Sequence, residues 1–480
     1  MGGTLSRRRF LGVSGALALG AGLGGCGGGD EGSSGGGGGA LTWWDHQVQL
    51  ESAKKRIFEE FAADPGGMKV DYLLANPEKM GQQLQIAKQT GDLPDIHSNA
   101  GLGPIPPPQL ISEGWIAPLD LSDEAKTYLE GKVIDGLHVF DGKIYSFPIF
   151  NFRVYPTVNW FNRTLVEQAG LDPDAPPTSY DEFRAAAKAV QDNTDAAGWT
   201  WNVGMPIRTS DQIHYLAQAA GFEGFNGRLF RTGEVAFDSE PYLNAIEFLL
   251  SLKQDGLMSP GAESWVDTDA RGRWASGAAG YYFDGPWCPG VILPQSPEFG
   301  ESLGAGPILT PEPDMPVRTY HNPQPGEYWL TPDIQYAAEA NQLLSDYFAT
   351  PDYSLDVANT MSQPPIVLDA VAESDAHPEY KKLIEMYAEQ VFLAPYPIAR
   401  NLEITKVQQE EKQVNPDIGT IIQGAFTGDV DDLAGALKKL SDDTMAEWER
   451  SVKAAQDKGA EVDLDDWAFP DWRPGADYGV

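Results

Sequence analysis

Asp45 ends the β-prone run Ala40-Leu41-Thr42-Trp43-Trp44, and His97-Ser98-Asn99 follow a second short run, Leu93-Pro94-Asp95-Ile96. A carboxylate, an imidazole, a hydroxyl and an amide at two strand ends suit hydrogen bonding to a polar ligand. Groups arranged to break bonds are harder to find. The chain has no Gly-x-Ser-x-Gly elbow, no His-Glu-x-x-His helix, no phosphate-cradling Gly-rich loop and no Cys-x-x-Cys pair. Its six histidines, at 46, 97, 138, 214, 321 and 377, are too scattered for a local metal site. No metal, cofactor or catalytic residue is therefore expected, although 70 acidic residues leave a glycosidase-type carboxylate pair open.

The elements that must position these groups alternate. Leu50, Ala53, Ile57, Phe58 and Phe61 have helical spacing over 50–63. Residues 70–74 alternate as a strand, 78–90 are helical up to Gly91, and 93–96 form a strand whose start is set by Pro94. Strand, helix, strand, helix, strand is the grammar of a parallel sheet covered by helices, whose ligands bind beyond the carboxyl ends of the strands. Asp45 and His97-Ser98-Asn99 fall at such ends. Farther on, Ser179-Tyr180-Asp181-Glu182 has capping-box spacing ahead of Phe183, Ala186, Ala187 and Val190. A helix starts near Pro241 and stops at Gly256; two more are expected at 334–349 and 432–455. The Pro- and Gly-rich segment 300–332 reads as loop or domain crossing.

With 480 residues the chain is long enough for two or three domains. A formal charge of −36 repels phosphate backbones, so nucleic acid is not expected as a partner. The first forty residues read as an address. Ser6-Arg7-Arg8-Arg9-Phe10-Leu11 is a twin-arginine pattern, and the small and apolar run 11–23 is too short for a membrane span. Leu23-Gly24-Gly25-Cys26 looks like the lipobox of bacterial lipoproteins, in which the cysteine is lipidated. Residues 1–25 are thus expected to be an export signal, Cys26 the lipidation site, and 26–39 a Gly/Ser-rich tether with a reach of about 20 Å. Cys288, the other cysteine, reads as a small buried hydrophobe.

Five segments in order carry a family resemblance. They are Gly91-Asp92-Leu93-Pro94-Asp95-Ile96, then Gly114-Trp115-Ile116-Ala117-Pro118-Leu119-Asp120, then Asp141-Gly142-Lys143-Ile144-Tyr145 with Pro148. Asn159-Trp160-Phe161-Asn162-Arg163 with Ala169-Gly170-Leu171 comes next, and the last runs from Ala275-Ser276-Gly277 to Gly285-Pro286-Trp287. The chain resembles the extracellular solute-binding proteins of bacterial ABC importers, in the class that binds sugars and oligosaccharides and includes the maltose-binding proteins. The resemblance implies two Rossmann-like α/β lobes, a hinge, and a ligand cleft between the lobes. One lobe would comprise 40–150 plus about 310–360, the other 151–309 plus about 361–480. It further implies a monomer, lipid-anchored at the extracytoplasmic face of the cell membrane, that closes on a sugar and hands it to ABC permease subunits.

Sugars present flat C–H faces to aromatic rings and hydroxyls to paired donors and acceptors, which makes tryptophans the leading candidates. Trp287 comes first, because its Gly-Pro-Trp setting matches the family position that stacks on ligand. Trp43, Trp44 and Asp45 end the first strand, where the family often places a carboxylate; alternation sends one indole inward and one outward. Trp201 and Asn202 follow the capped helix, and Trp329 follows the Pro-rich crossing. His97 and Asn99 follow the second short strand. Phe152 and Arg153 follow Pro148, and Arg153 has either sugar hydroxyls or Asp45 as its expected partner. Trp115, Trp467, Trp472 and Asp95 read as structural, and the sequon Asn162-Arg163-Thr164 as accidental. A secreted carbohydrate-active hydrolase or lyase, and a binding protein for a peptide or polyamine, remain the alternatives.

Overall fold

The computed structural model describes residues 39–479 apart from 76, 103 and 104. The export signal, Cys26 and all of the tether but Gly39 lie outside the described residues. Two four-stranded sheets organise the rest. The first uses β1 (Ala40–Asp45), β2 (Lys69–Leu74), β3 (Ile96–Ser98) and, from far along the chain, Tyr328–Leu330, in the order Tyr328–Leu330, β3, β1, β2. β1 pairs parallel with both β2 and β3, while Tyr328–Leu330 runs antiparallel to β3. The second sheet takes Leu303–Gly306, Val158–Asn162, Ala279–Asp284 and Ala197–Thr200 in that order, the last two parallel to each other.

Each sheet has its own core. That of the first contains Leu41, Trp43, Phe58, Phe61, Tyr328 and Phe348; that of the second contains Trp160, Phe183, Trp199, Trp201, Leu249 and Tyr281. Local rules account for much of this. Ser179 and Glu182 close both halves of the capping box on the helix Tyr180–Asn193, whose Phe183, Ala186, Ala187 and Val190 are buried. Pro241 occupies the first turn of the helix Glu240–Gln254. Asp141 and Gly142, at φ 50° and 70°, form the two-residue turn between Val139–Phe140 and Lys143–Ile144. Asn162 is buried as the N-cap of Arg163–Gln168, so its amide accepts from Leu165 N–H and is closed to glycosylation. Cys288 is buried, and burial pushes its thiol well above the ordinary range.

Three expectations are corrected. β3 begins at Ile96, not at Leu93, because Pro94 has no N–H for the ladder and the Asp95 carboxylate turns to Thr42, accepting from its N–H at 2.8 Å and its hydroxyl at 2.9 Å. Segment 300–332 is not loop alone: it supplies Leu303–Gly306, Thr319–His321 and Tyr328–Leu330, short strands whose partners lie far off in sequence. The helix expected over 334–349 is α-helical only from Ala337 to Leu343 and continues as a π-helical turn, Leu344–Phe348.

One buried polar staple ties the second core to the incoming chain. Gln212, on the helix Pro206–Ala219, accepts from Trp201 Nε1 at 2.7 Å and donates to the carbonyls of Pro156 and Phe283 at 3.0 and 3.1 Å. Gln212→Leu strands all three partners, and a buried polar group without a partner costs roughly 1–3 kcal/mol. A loss of about 2 kcal/mol is expected, read as a lowered urea midpoint at constant slope. An unchanged midpoint contradicts the staple.

Candidate functional site

At the carboxyl end of the first sheet, polar groups form a closed network. Asp45 Oδ1 accepts from the N–H groups of His46 and Gln47 at 2.7 and 3.0 Å. Its Oδ2 takes the Lys54 ammonium, from the helix Glu51–Ala63, and the Tyr72 hydroxyl at 3.3 Å. Glu327, just before Tyr328–Leu330, accepts from Gln47 Nε2 at 3.0 Å, with His46 Nε2 3.5 Å away. His46 Nδ1 lies 2.9 Å from Ser98 Oγ. Burial raises the Asp45 carboxyl, but Lys54 and the Gln47 N–H more than offset this and hold it below the usual range. Burial, helped by the neighbouring Asp45 charge, lifts Glu327 to about 7 against the Gln47 hydrogen bond and the more distant Lys54.

Ligand atoms of Asp45, His46 and Glu327 come within 4.8 Å of one another. They do not suit a metal ion: Asp45 is already fully bonded, and the fixed Lys54 charge opposes a second cation. A pH dependence follows instead. Glu327 binds its proton more tightly folded than unfolded, so the protein loses stability as pH rises from about 4.5 through about 7. Glu327→Gln keeps the acceptor for Gln47 and removes the titration. Its melting temperature is expected to exceed that of the parent at pH 8 and to vary less between pH 5 and 7; parallel curves would contradict the assignment.

The tryptophans of β1 separate. Trp43 is buried against Phe348, centroids 4.9 Å apart, with Tyr328 edge-on and Phe58 tilted beside it. Trp44 points to the opposite face and is half-buried there. In register with it are His97 and then Trp329, the latter two in edge contact at 5.9 Å, beneath a helical layer containing Met80, Leu84 and Leu110. Burial lowers the His97 pKa and keeps the ring neutral. Trp44, His97 and Trp329 are thus a cross-strand ladder that packs this face. Asn99, half-buried, donates to Gly326 O at 3.3 Å.

At the second sheet, Trp201 and Asn202 follow Ala197–Thr200 and are both fully buried; neither amide atom of Asn202 has a protein partner. Trp287 is half-buried, donates Nε1–H to Asp284 Oδ1 at 3.0 Å, and carries the Arg208 guanidinium 4.5 Å above its ring. Asp284 is held in turn by Arg271 Nε at 2.6 Å and by Gly285 N–H at 2.8 Å. A Cβ on Gly285 would overlap the Trp287 ring, which is why the first residue of Gly-Pro-Trp is glycine.

Phe152 and Arg153 sit where the chain passes from one core to the other. Arg153 binds Asp477 Oδ2 at 2.6 Å and the Val391 carbonyl, and stacks on Phe152 at 4.9 Å. It does not pair with Asp45, which Lys54 already neutralises. Both residues line a cavity of about 1060 Å³ whose wall is also drawn from residues 131–151, 323–324, 366, 393–400 and 469–479. Phe150, Tyr396, Phe469, Tyr478 and Arg400 share its wall. The structure therefore distributes the predicted residues over three places: the first strand ends, the second strand ends and this cavity. Lys54, Glu327 and Tyr396 were not singled out by sequence. Only Lys54 left a trace, as a cation four residues after Leu50 on an otherwise apolar helix face.

Comparison with known proteins supplies the fold and the family. The structure resembles the cyclic α-maltosyl-1,6-maltose binding protein of Arthrobacter globiformis, at 20% identity and a TM-score of 0.58 over 88% of this chain and 100% of that one. It also resembles the GacH receptor of Streptomyces glaucescens, solved unliganded and with acarbose, at 15% identity and a TM-score of 0.61 over 87% and 99%. A solute-binding protein of Thermotoga lettingae bound with α-D-tagatose gives 19% and 0.59 over 85% and 99%. Binding proteins of Brucella abortus and Brucella suis are 26% identical over 264 residues, which is 53% of this chain and 58% of theirs. The chain thus spans little more than half the length of these relatives. These likenesses give the two-lobed α/β fold, and the family model for bacterial extracellular solute-binding proteins matches residues 44–353, through both sheets. The chain belongs to the bacterial extracellular solute-binding protein family.

Proposed function

We propose that this protein is the membrane-tethered, extracytoplasmic solute-binding component of an ABC importer, which binds a sugar or oligosaccharide between its lobes and delivers it unaltered to the permease. The observation that carries the reading is the cavity of about 1060 Å³, walled by Phe150, Phe152, Tyr396, Phe469 and Tyr478 with the fork donors Arg153 and Arg400 at hand, which this reading places between the lobes. Aromatic faces with convergent hydrogen-bonding groups are what a pyranose needs, and the volume suits more than one ring. The sugars named for the neighbouring structures support the same ligand class. In this reading Trp287, Trp44 and Asn99, which do not line this cavity in the structure, reach the ligand as the lobes close, and the fully buried Asn202 supports the wall behind them. Trp43, Asp45, His97, Trp201 and Trp329 hold the walls. The lobes comprise 40–150 with about 310–360, and 151–309 with about 361–480. Ligand stabilises the closed state, and the permease reads that shape.

A thermal-shift series against mono- and oligosaccharides tests this. A ligand at 100 times its dissociation constant adds about 2.7 kcal/mol to stability. At least one saccharide is expected to do so and to be recovered intact. No stabilisation by any saccharide refutes the reading, and cleaved product reassigns the protein as an enzyme.

A further inference from the structure

The second lobe holds an arginine that no carboxylate contacts directly. Arg228 packs its guanidinium 3.1 Å from the ring centroid of Trp448 and 5.7 Å from that of Trp467. No ion pair to it forms among the described residues, and Glu411 on the same cavity wall acts on it only at longer range, in a chain with 70 acids to 34 bases. Its Nη1 is buried without an acceptor, and so is the indole Nε1 of Trp448. Both residues line one cavity of about 280 Å³. Two buried donors on one wall, lacking any acceptor, mark a place for acceptor oxygens from elsewhere.

That cavity is not isolated. It shares Asn226, Arg228 and Glu411 with a second cavity of about 350 Å³, and the second shares Tyr396 and Phe469 with the large interlobe cavity. The three cavities therefore adjoin one another, from Phe152 and Arg153 back to Arg228. We propose that Arg228 receives the carboxylate of an acidic oligosaccharide, one ending in a uronic acid, whose other rings lie in the interlobe cavity. The proposal rests on the sugar-binding reading above and narrows its substrate class. A carboxylate fits better than a phosphate: one guanidinium and one indole N–H match a single charge, and Glu411 and Glu447 on the same walls repel a dianion about twice as strongly as a monoanion. The protein's overall negative charge opposes anions at long range, so this buried cation is what selects the acid.

Calorimetric titration of the full chain with uronic-acid oligomers, their neutral counterparts and sugar phosphates tests the assignment. The acidic oligomers are expected to bind more than about tenfold tighter than the neutral ones, since a charge-assisted pair is at stake. Arg228→Gln should abolish that preference while neutral binding persists, which also shows that the variant is folded. Arg228→Lys keeps the charge but not the fork and should retain part of the preference; Trp448→Phe removes the indole N–H and should weaken acid binding alone. Neutral oligomers binding as tightly as acidic ones, or a preference that survives Arg228→Gln, overturns the proposal and leaves the sugar reading standing. Tighter binding of sugar phosphates overturns the carboxylate assignment. Absence of binding by every saccharide overturns the sugar reading itself.

Discussion

Lys54→Met is expected to cost about 3–5 kcal/mol, the usual consequence of removing one partner from a buried ion pair. Lys54 and Asp45 are both wholly buried, and the ammonium also lies 4.8 Å over the Tyr328 ring. Methionine fills much the same volume, so packing loss is small and the stranded carboxylate dominates. Two backbone N–H groups and the Tyr72 hydroxyl still reach Asp45, which keeps the cost from being larger. Urea unfolding at pH 7 measures the effect. Without its cation the Asp45 carboxyl is pushed up by burial, so the variant binds a proton more tightly folded than unfolded. Its deficit should therefore shrink as pH falls toward the unfolded carboxyl range and grow as pH rises. Asp45→Asn in the Lys54→Met background retains an oxygen for the two N–H groups and should recover most of the loss. A single variant within about 1 kcal/mol of the parent, or no recovery in the double, would mean the pair is not the keystone described.

Why the sequence discloses some of this and not the rest is a matter of range. The capping box at Ser179 and Glu182, the Asp141-Gly142 turn and the helix Glu51–Ala63 depend on residues within one or two turns of each other, and all stand as read. The strands at 303–306, 319–321 and 328–330 are three or four residues long and gain their hydrogen bonds from partners near 160, 392 and 97. Nothing in their own composition separates them from loop. The shift of β3 was legible in principle. Proline at 94 forbids a ladder bond, and an aspartate beside it competes for backbone donors.

Burial decides the site, and burial is a tertiary quantity. Alternation puts Trp43 and Trp44 on opposite faces but does not say that both faces are covered, one by Phe58 and Phe348, the other by a helical layer. His97 has the chemistry of a ligand group, yet it sits between Trp44 and Trp329 in a packed row. Tyr396 and Phe469 come to the large cavity from the last hundred residues, the part of the chain with the weakest motifs, and Asp477 reaches Arg153 from the C-terminal segment. Resemblance found the family through residues 91–287; one side of the cavity, 131–153, lies within that span, and the facing side, 393–400 and 469–479, comes from beyond it.

Trp287→Ala is expected to weaken saccharide binding by more than tenfold while leaving the unliganded protein near its original stability. Aromatic anchors are among the residues whose truncation costs most at an interface, about 2 kcal/mol or more. The indole is half-buried and held at its edge by Asp284, so its direction is fixed before ligand arrives and little ordering entropy remains to oppose binding. Arg208 covers one face at 4.5 Å, which leaves the opposite face, or an exchange of guanidinium for sugar, as the stacking mode. Stability should survive because Asp284 keeps Arg271 and the Gly285 N–H when the indole goes. Gly285→Ala serves as an independent check: its methyl displaces the ring without deleting it, and affinity should fall in the same direction. Arg208→Ala separates the two stacking modes, improving affinity if the guanidinium competes with the sugar and weakening it if it donates to a hydroxyl. A dissociation constant unchanged in Trp287→Ala removes this tryptophan from the site and leaves the aromatic wall around Phe152, Tyr396 and Phe469 to carry recognition alone.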